Sequence, residues 1–298
     1  MTVDVAVLTP TYLDYTFVGL EALPAPGEER FAGDMLRSPG GGGIIALAAA
    51  RLGLSVALVA PLGDDLAGRF VRRALEEDGV EVGDPRGPRT PTTVVLPVRG
   101  DRAMVTVDPG MRARAADVEP YAPRAVAATL ERIDLLPDGP CAYLTCGDDD
   151  ARAFAGRLPH GARRPRALVL NRRESALLTG DSDPVRALDQ VKDVAETIVI
   201  TLGAEGMLAS VDGRHVRVPG AWAEPVVDTT GCEELFATAF AWAELHDAEA
   251  EVALRWASVY AGLSVTEPTA ARGAVTRERL LQEGAKLSLP ALPESATA

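Results

Sequence analysis

Short, uniformly apolar runs recur along the chain and alternate with segments whose apolar residues fall at helical spacing. The runs are residues 3–8, SVALVA (55–60), CAYLTCG (141–147), RALVLN (166–171) and TIVITLG (197–203). Strands this apolar are buried on both faces. Their alternation with helices demands a mostly parallel sheet covered by helices on each side. Two alternating runs, 92–99 and 103–107, flank RGDR as a hairpin, and residues 9–37 mix Tyr, Pro, Gly and charge as a surface flap would. The spacing predicts helices over 68–78, 126–133, 151–158, 185–191, 233–245, 249–264 and 276–283, and a loose tail. No internal repeat or low-complexity linker divides the chain. The expectation is a single domain, 1–298, with lid segments over approximately 10–38 and 88–110.

Composition narrows the function. With 298 residues, 47% apolar and 24% charged, the chain is an ordinary globular α/β protein, and its net charge of −13 opposes sequence-independent nucleic-acid binding. Cys141, Cys146 and Cys232 form neither a disulfide framework nor a zinc set, and His160, His215 and His246 lack metal-ligand spacing. MTVDVAVLTP reads as a strand rather than a signal peptide, and no apolar run approaches a membrane span. A reducing cytoplasm is the expected compartment.

Three stretches can carry chemistry. In SPGGGGIIALAAARLG, Gly40, Gly41, Gly42 and Gly43 strip the backbone where a helix begins, so it can approach a ligand and donate N–H groups. The match to GxGxxA across Gly41, Gly43 and Ala46 is formal, because that dinucleotide fingerprint follows a buried strand and FAGDMLRS does not read as one. In IVITLGAEGM a buried strand runs into Thr201, Gly203 and Gly206, where a planar group could lie against backbone. In VVDTTGCEELFATAFAWAEL a turn containing Gly231 opens a helix, with Asp228 upstream where it could hold a metal through water. Here two readings stay open. The amides form an anion site, or Thr230 to Glu233 forms a capping box with acids complementing the helix dipole.

In order along the chain, these pieces resemble the ribokinase, or PfkB-type, family of carbohydrate and nucleoside kinases. The resemblance rests on LPAPGEE (23–29), PGGGG (39–43), AAARLG (48–53), PLGDDLAGRFVRRALEEDGVEV (61–82), NRRESALLTG (171–180), ITLGAEGM (200–207), VVDTTG (226–231) and AGLSVTEPTA (261–270). It implies a three-layer α/β/α ribokinase-like fold with a small β lid. It also implies an enzyme that moves the γ-phosphoryl of ATP to a hydroxymethyl group of a sugar, nucleoside or related small molecule, with Mg²⁺, and a homodimer formed through the lid. In that family's pattern Asp14 grips substrate hydroxyls and Gly40–Gly43 carry the substrate on backbone. Asn171 and Glu174 form the NxxE motif tied to Mg²⁺, and Thr201, Gly203 and Gly206 border the nucleotide.

The departures cluster where the chemistry is demanding. The family's Gly-Ala-Gly-Asp is here Gly231-Cys232-Glu233-Glu234, so Glu234 takes the general-base position with one extra methylene, and Glu233 replaces a glycine of the anion hole. An inward Glu233 opposes a phosphoryl group, and an outward one is harmless. Ile44 stands where the family carries a substrate-binding Asn. Residues 147–171 are also short, with GDDD and HGARRPR where another strand and helix are usual. Besides an active kinase, two other outcomes follow: a degenerate member that binds a nucleotide or metabolite without transfer, and a fold repurposed for other chemistry.

Overall fold

The computed structural model describes residues 1–84, 86–98, 101–158, 164–221 and 224–292. From β1 (Val5–Val7) the chain runs through β2 (Thr11–Val18) and β3 (Asp34–Gly41) directly into α1 (Gly42–Arg51). It continues as β4 (Val56–Leu58), α2 (Leu66–Glu77), β5 (Glu81–Val82), β6 (Thr92–Val98) and β7 (Asp101–Val107). Next come β8 (Ala125–Thr129), β9 (Cys141–Thr145), α3 (Asp148–Ala153), β10 (Ala167–Asn171), α4 (Arg172–Thr179) and α5 (Pro184–Val191). The last part holds β11 (Thr197–Thr201), β12 (Met207–Val211), β13 (Arg214–Val218), α6 (Cys232–Leu245), α7 (Ala250–Ser264), α8 (Ala270–Gly273) and α9 (Arg277–Lys286).

Among the described residues the main sheet has nine strands in the order β13-β12-β11-β10-β9-β8-β1-β4-β5. The stretch from β5 to β11 is parallel, and β12 and β13 extend it antiparallel as a ribbon. Alternation within each strand separates the layers. Val5, Val7, Val169 and Val199 join the cluster formed with α1, α6 and α7, whereas Ala6, Leu168, Leu170, Ile198 and Ile200 join the one beneath α4 and α5. Each such Val, Leu or Ile side chain contributes about 1.5–3 kcal/mol on burial. The three-layer α/β/α fold expected from sequence is therefore present.

A second sheet, β3-β2-β6-β7, pairs β2 with β3 and β6 with β7 antiparallel, and β2 with β6 parallel. The strands flanking RGDR thus pair as expected, residues 99–100 lying outside the described residues. Two sequence readings need correction. FAGDMLRS does contain strand, because Asp34–Gly41 is β3; it is an edge strand whose first four residues are exposed or half-buried, so no apolar run marks it. Residues 126–133 are not a helix. AVAAT forms β8, and a 3₁₀ segment follows over Leu130–Leu135; burial between β1 and β9 overrides the helical preference of alanine. GDDD opens the short α3, and HGARRPR lies partly outside the described residues. No described helix is long and apolar enough to cross a membrane.

Candidate active site

Parallel strands leave their ligands at the carboxyl ends, and there the chain gathers most of the residues singled out above. Asn171 ends β10 and pairs in register with Thr201 at the end of β11. Asn171 caps α4: its Oδ1 accepts from the Glu174 amide at 2.8 Å, and Glu174 Oε2 accepts from the Asn171 amide at 2.9 Å. NxxE is therefore also a reciprocal capping box. This fixes the Glu174 carboxylate, 7% exposed, at the end of the sheet. Burial, then the charge of Glu233, push it up to about 9.

Gly203, exposed and at φ +62°, has open space where a side chain would project. Gly206 differs: a Cβ would run into Val218, Pro219 and Gly220, so the crossing of β12 and β13 requires the glycine. The glycine run divides in the same way. A Cβ on Gly40 would strike the Asp14 carboxylate, whereas Cβ atoms on Gly41, Gly42 and Gly43 would meet Pro10, Thr9 and Pro39. Bareness at 41–43 is thus accounted for by the chain's own packing, and Gly40 is the position where it faces Asp14.

Asp14 lies in β2, 8% exposed, opposite Ser38 and Thr93. Burial pushes its carboxyl up to about 7, with Glu234 and Asp228 adding like charge and Thr93 offsetting part. Residues from the second sheet and from α6 therefore face one cleft. Asp228 is committed elsewhere: its Oδ1 accepts from Thr230 N at 2.8 Å and its Oδ2 from Thr269 N at 3.1 Å. It staples the loop before α6 to the loop before α8.

That staple decides the capping question. The turn around Asp228 passes into Gly231 at φ +74°, and Gly231, not Thr230, is the N-cap of α6. Thr230 Oγ1 is buried without a hydrogen-bond partner, so the Thr230–Glu233 capping box is not formed. The first amides of α6 retain the orphan donors of any helix start. Cys232 turns its thiol toward the carbonyl of Ala261 at 3.9 Å, away from those amides. Gly231 rests on Ile44, 3% exposed, and Ala270, so Ile44 forms an apolar floor. The backbone N–H of each of Glu233 and Glu234 favours the ionised form of its own carboxyl. Burial and Glu233 push Glu234 up to about 7, while burial raises Glu233 against the pull of Arg102.

Sequence reasoning passed over Arg102. It reaches from β7 to donate from Nη1 to Thr229 Oγ1 at 3.2 Å. Its only sequence signal is one guanidinium in the otherwise apolar or neutral stretch Arg102–Val107 of β7.

The carboxyls of Asp14 and Glu234 carry a stability consequence. Unfolded Asp and Glu ionise near 4, so between about 4 and 7 the folded chain binds more protons than the unfolded chain, and stability falls as pH rises. Ligand-free protein is expected to melt at a higher temperature at about pH 5.5 than at about pH 8, and Asp14→Asn to flatten that difference. Thermal melts across this range check it; a melting temperature that climbs with pH contradicts the assigned burial.

The start of α6 at Gly231, the acids beside it and the second sheet supplying Asp14 stand together on a ribokinase-like fold. The family model described as pfkB family carbohydrate kinase matches residues 15–144 and 140–277, and the chain belongs to that family, whose members are phosphotransferases with an alcohol acceptor. A ribokinase of Bacillus subtilis (strain 168) is 29% identical over 279 residues, spanning 86% of this chain and 91% of that protein. The structure is similar to a probable sugar kinase from Rhizobium etli CFN 42, with TM-score 0.78, 18% identity, and coverage of 97% of this chain and 100% of that one. It is also similar to Arabidopsis thaliana ribokinase complexed with ribose and ATP, with TM-score 0.74, 22% identity, and coverage of 95% and 98%.

Proposed function

We propose that the protein transfers the γ-phosphoryl group of ATP to a primary hydroxyl of a small polyhydroxylated molecule, a sugar or nucleoside. The observation that carries this reading is the placement of Asp14 and Glu234. Asp14 abuts Gly40 at the head of the glycine run. Glu234 lies in the first turn of α6 just beyond Gly231 and its contact with Ile44, and its charge reaches the Asp14 carboxyl. Asp14, buried against Gly40, accepts hydrogen bonds from acceptor hydroxyls and holds one of them toward α6. Glu234 takes the proton of the attacking hydroxyl. The amides following Gly231 receive negative charge as it shifts during transfer, an arrangement that needs positioning more than covalent chemistry. The nucleotide lies along the ends of β10 and β11, against Asn171, Thr201 and the bare backbone of Gly203.

Glu174 suits Mg²⁺: it presents a hard oxygen donor, and this ion is commonly held by one or two carboxylates together with substrate phosphates. Held there, Mg²⁺ would supply charge neutralisation for the phosphates. Ile44 excludes a hydroxyl from the floor, because a buried hydroxyl without a partner costs about 1–3 kcal/mol. The acceptor therefore presents an apolar edge to α1. The three thiols are unpaired, in keeping with a cytoplasmic setting.

A coupled ADP-release assay over a panel of sugars and nucleosides tests the reading. With the preferred acceptor, Asp14→Asn is expected to raise its KM about 10- to 100-fold, the worth of a hydrogen bond to a charged group, while the KM for ATP stays within about twofold. Equal changes in both constants would remove Asp14 from the acceptor side. A second reading, a member that binds nucleotide without transfer, is favoured by the two acids, Glu233 and Glu234, in the first turn of α6. Calorimetric ATP binding with no ADP release across the panel would select it.

A further inference from the structure

A cavity of about 240 Å³ lies between β3, α1, α2 and α8. Asp14, Asn171, Glu174, Thr201 and Glu234 are not among its lining residues, so it is separate from the cleft described above. Its walls divide by chemistry. Pro39, Leu47, Phe70 and Ala74 make an apolar side, on which the large ring of Phe70 stays 38% exposed. The opposite side holds Arg37, Arg51, Glu77, Asp78, Thr269 and Arg272.

The charges of that side do not cancel. Arg51 is spent within the wall: it pairs with Asp78 at 2.9 Å and donates from Nη1 to the carbonyls of Ala271 and Ala274. Glu77 is taken by Arg73 at 2.8 Å. Arg37 lies 5.7 Å from the centre of the Tyr15 ring rather than against a carboxylate, and among the described residues the Arg272 guanidinium has no ion pair or hydrogen bond. Two exposed guanidiniums therefore border a cavity whose own acids are already neutralised, in a chain of net charge −13. An anion complements such a wall, and the planar guanidinium fork matches phosphate oxygens two at a time. The apolar side calls for an organic remainder, and a volume below that of drug-sized sites calls for a compact one.

The cavity also shares its walls with the cleft. Ser38 and Pro39 line it, and the next residue, Gly40, abuts Asp14. Thr269 and Ala271 line it, while Ala270 between them rests against Gly231. Thr269 takes φ +80°, a left-handed value rare for a β-branched residue. Its amide donates to Asp228, and its Oγ1 accepts from the Arg272 amide at 3.4 Å. Arg272 thus stands one hydrogen bond from the residue that staples the loop before α6.

We propose that this cavity binds a small phosphate monoester with an apolar face through Arg37 and Arg272, and that its occupant steadies the Thr269–Asp228 staple and with it the start of α6. No bond is made or broken there. The ring or chain of the ester lies against Phe70, and the phosphate lies between the two guanidiniums.

The probe is phenyl phosphate, compared by calorimetry with inorganic phosphate and phenol. Phenyl phosphate is expected to bind at least about tenfold more tightly than either, because only it engages both sides of the cavity. Arg37→Gln and Arg272→Gln should each weaken it about 10- to 100-fold. Arg272→Lys should recover part of the loss, since it keeps the charge without the planar fork. Ala74→Phe fills the apolar side and should abolish binding with both arginines in place. Affinity for the non-hydrolysable ATP analogue AMP-PNP, without the probe, should stay within about twofold in every variant. Hydrogen exchange gives the second readout: the probe should slow the amides of residues 226–231 as well as 269–273 in the unaltered protein, and neither group in Arg272→Gln. Unchanged probe affinity in the arginine variants, protection confined to residues 269–273, or an equal loss for AMP-PNP overturns the proposal. Both readouts are independent of turnover, so an absence of ADP release defeats the kinase reading and leaves this site to be decided on its own.

Discussion

Turnover of the Glu234→Gln variant falls about 100- to 10,000-fold, with the affinity for ATP within about threefold, because general-base catalysis contributes that much and an amide of the same shape cannot take a proton. The argument begins with position. Glu234 lies in the first turn of α6, so the helix sets its height above the floor formed by Ile44 and Gly231. Its surroundings then set its basicity. Burial and the charge of Glu233 push it up to about 7, the range in which a base both exists at neutral pH and accepts a proton readily. The sign follows directly: the ionised form is the active one, so kcat/KM climbs as pH rises through about 7 and levels above it.

Glu234→Asp separates basicity from reach. It restores the shorter side chain usual in the family, but here it withdraws the carboxylate by about 1 Å, and a shift of that size costs on the order of 100-fold. Steady-state kinetics across pH check both variants. Turnover unchanged in Glu234→Gln would pass the base role to another group, with Asp14 the first to examine.

What the sequence disclosed and what it hid divide along one physical line. Signals carried by neighbours in the chain were legible. Apolar runs alternating with helical spacing foretold the parallel sheet, whereas the reciprocal cap formed by Asn171 and Glu174, three positions apart, was there to be read from the local pattern and was seen only as a motif. Features fixed by distant partners were not. Gly41, Gly42 and Gly43 look like bare backbone for a ligand until Thr9, Pro10 and Pro39 are found occupying the space beside them. The Thr230–Glu233 box satisfies a local pattern, yet Asp228 Oδ2 engages Thr269 N, 41 positions away, and the turn moves the helix start to Gly231. β3 was hidden because an edge strand that is only partly buried needs no apolar alternation, and β8 because its alanines are buried by strands that only the fold supplies. Arg102 stands at the far end of this scale: its partner Thr229 lies on another element, and nothing local marks it.

Gly231→Ala should damage fold and site together, lowering stability by about 2–5 kcal/mol and weakening AMP-PNP at least about tenfold in the protein that remains folded. Two costs combine. At φ +74° any side chain is strained, and a left-handed residue other than glycine costs about 1–2 kcal/mol. The added Cβ would also stand 2.6 Å from Ala270 Cβ and 2.8 Å from Ile44 Cδ1, and both neighbours are packed, with Ile44 3% and Ala270 5% exposed. Overpacking of this kind costs about 1–3 kcal/mol. The backbone has to give where it aims the amides of α6, so stability and phosphate affinity fall together. Urea unfolding with parallel AMP-PNP titration measures both. Ile44→Ala relieves the contact with Cδ1 but not the strain in φ, so the double variant should recover part of the loss and remain less stable than Ile44→Ala alone. A Gly231→Ala protein that unfolds at the wild-type midpoint and binds AMP-PNP normally would mean that the left-handed turn, and the anion site built on it, are placed wrongly.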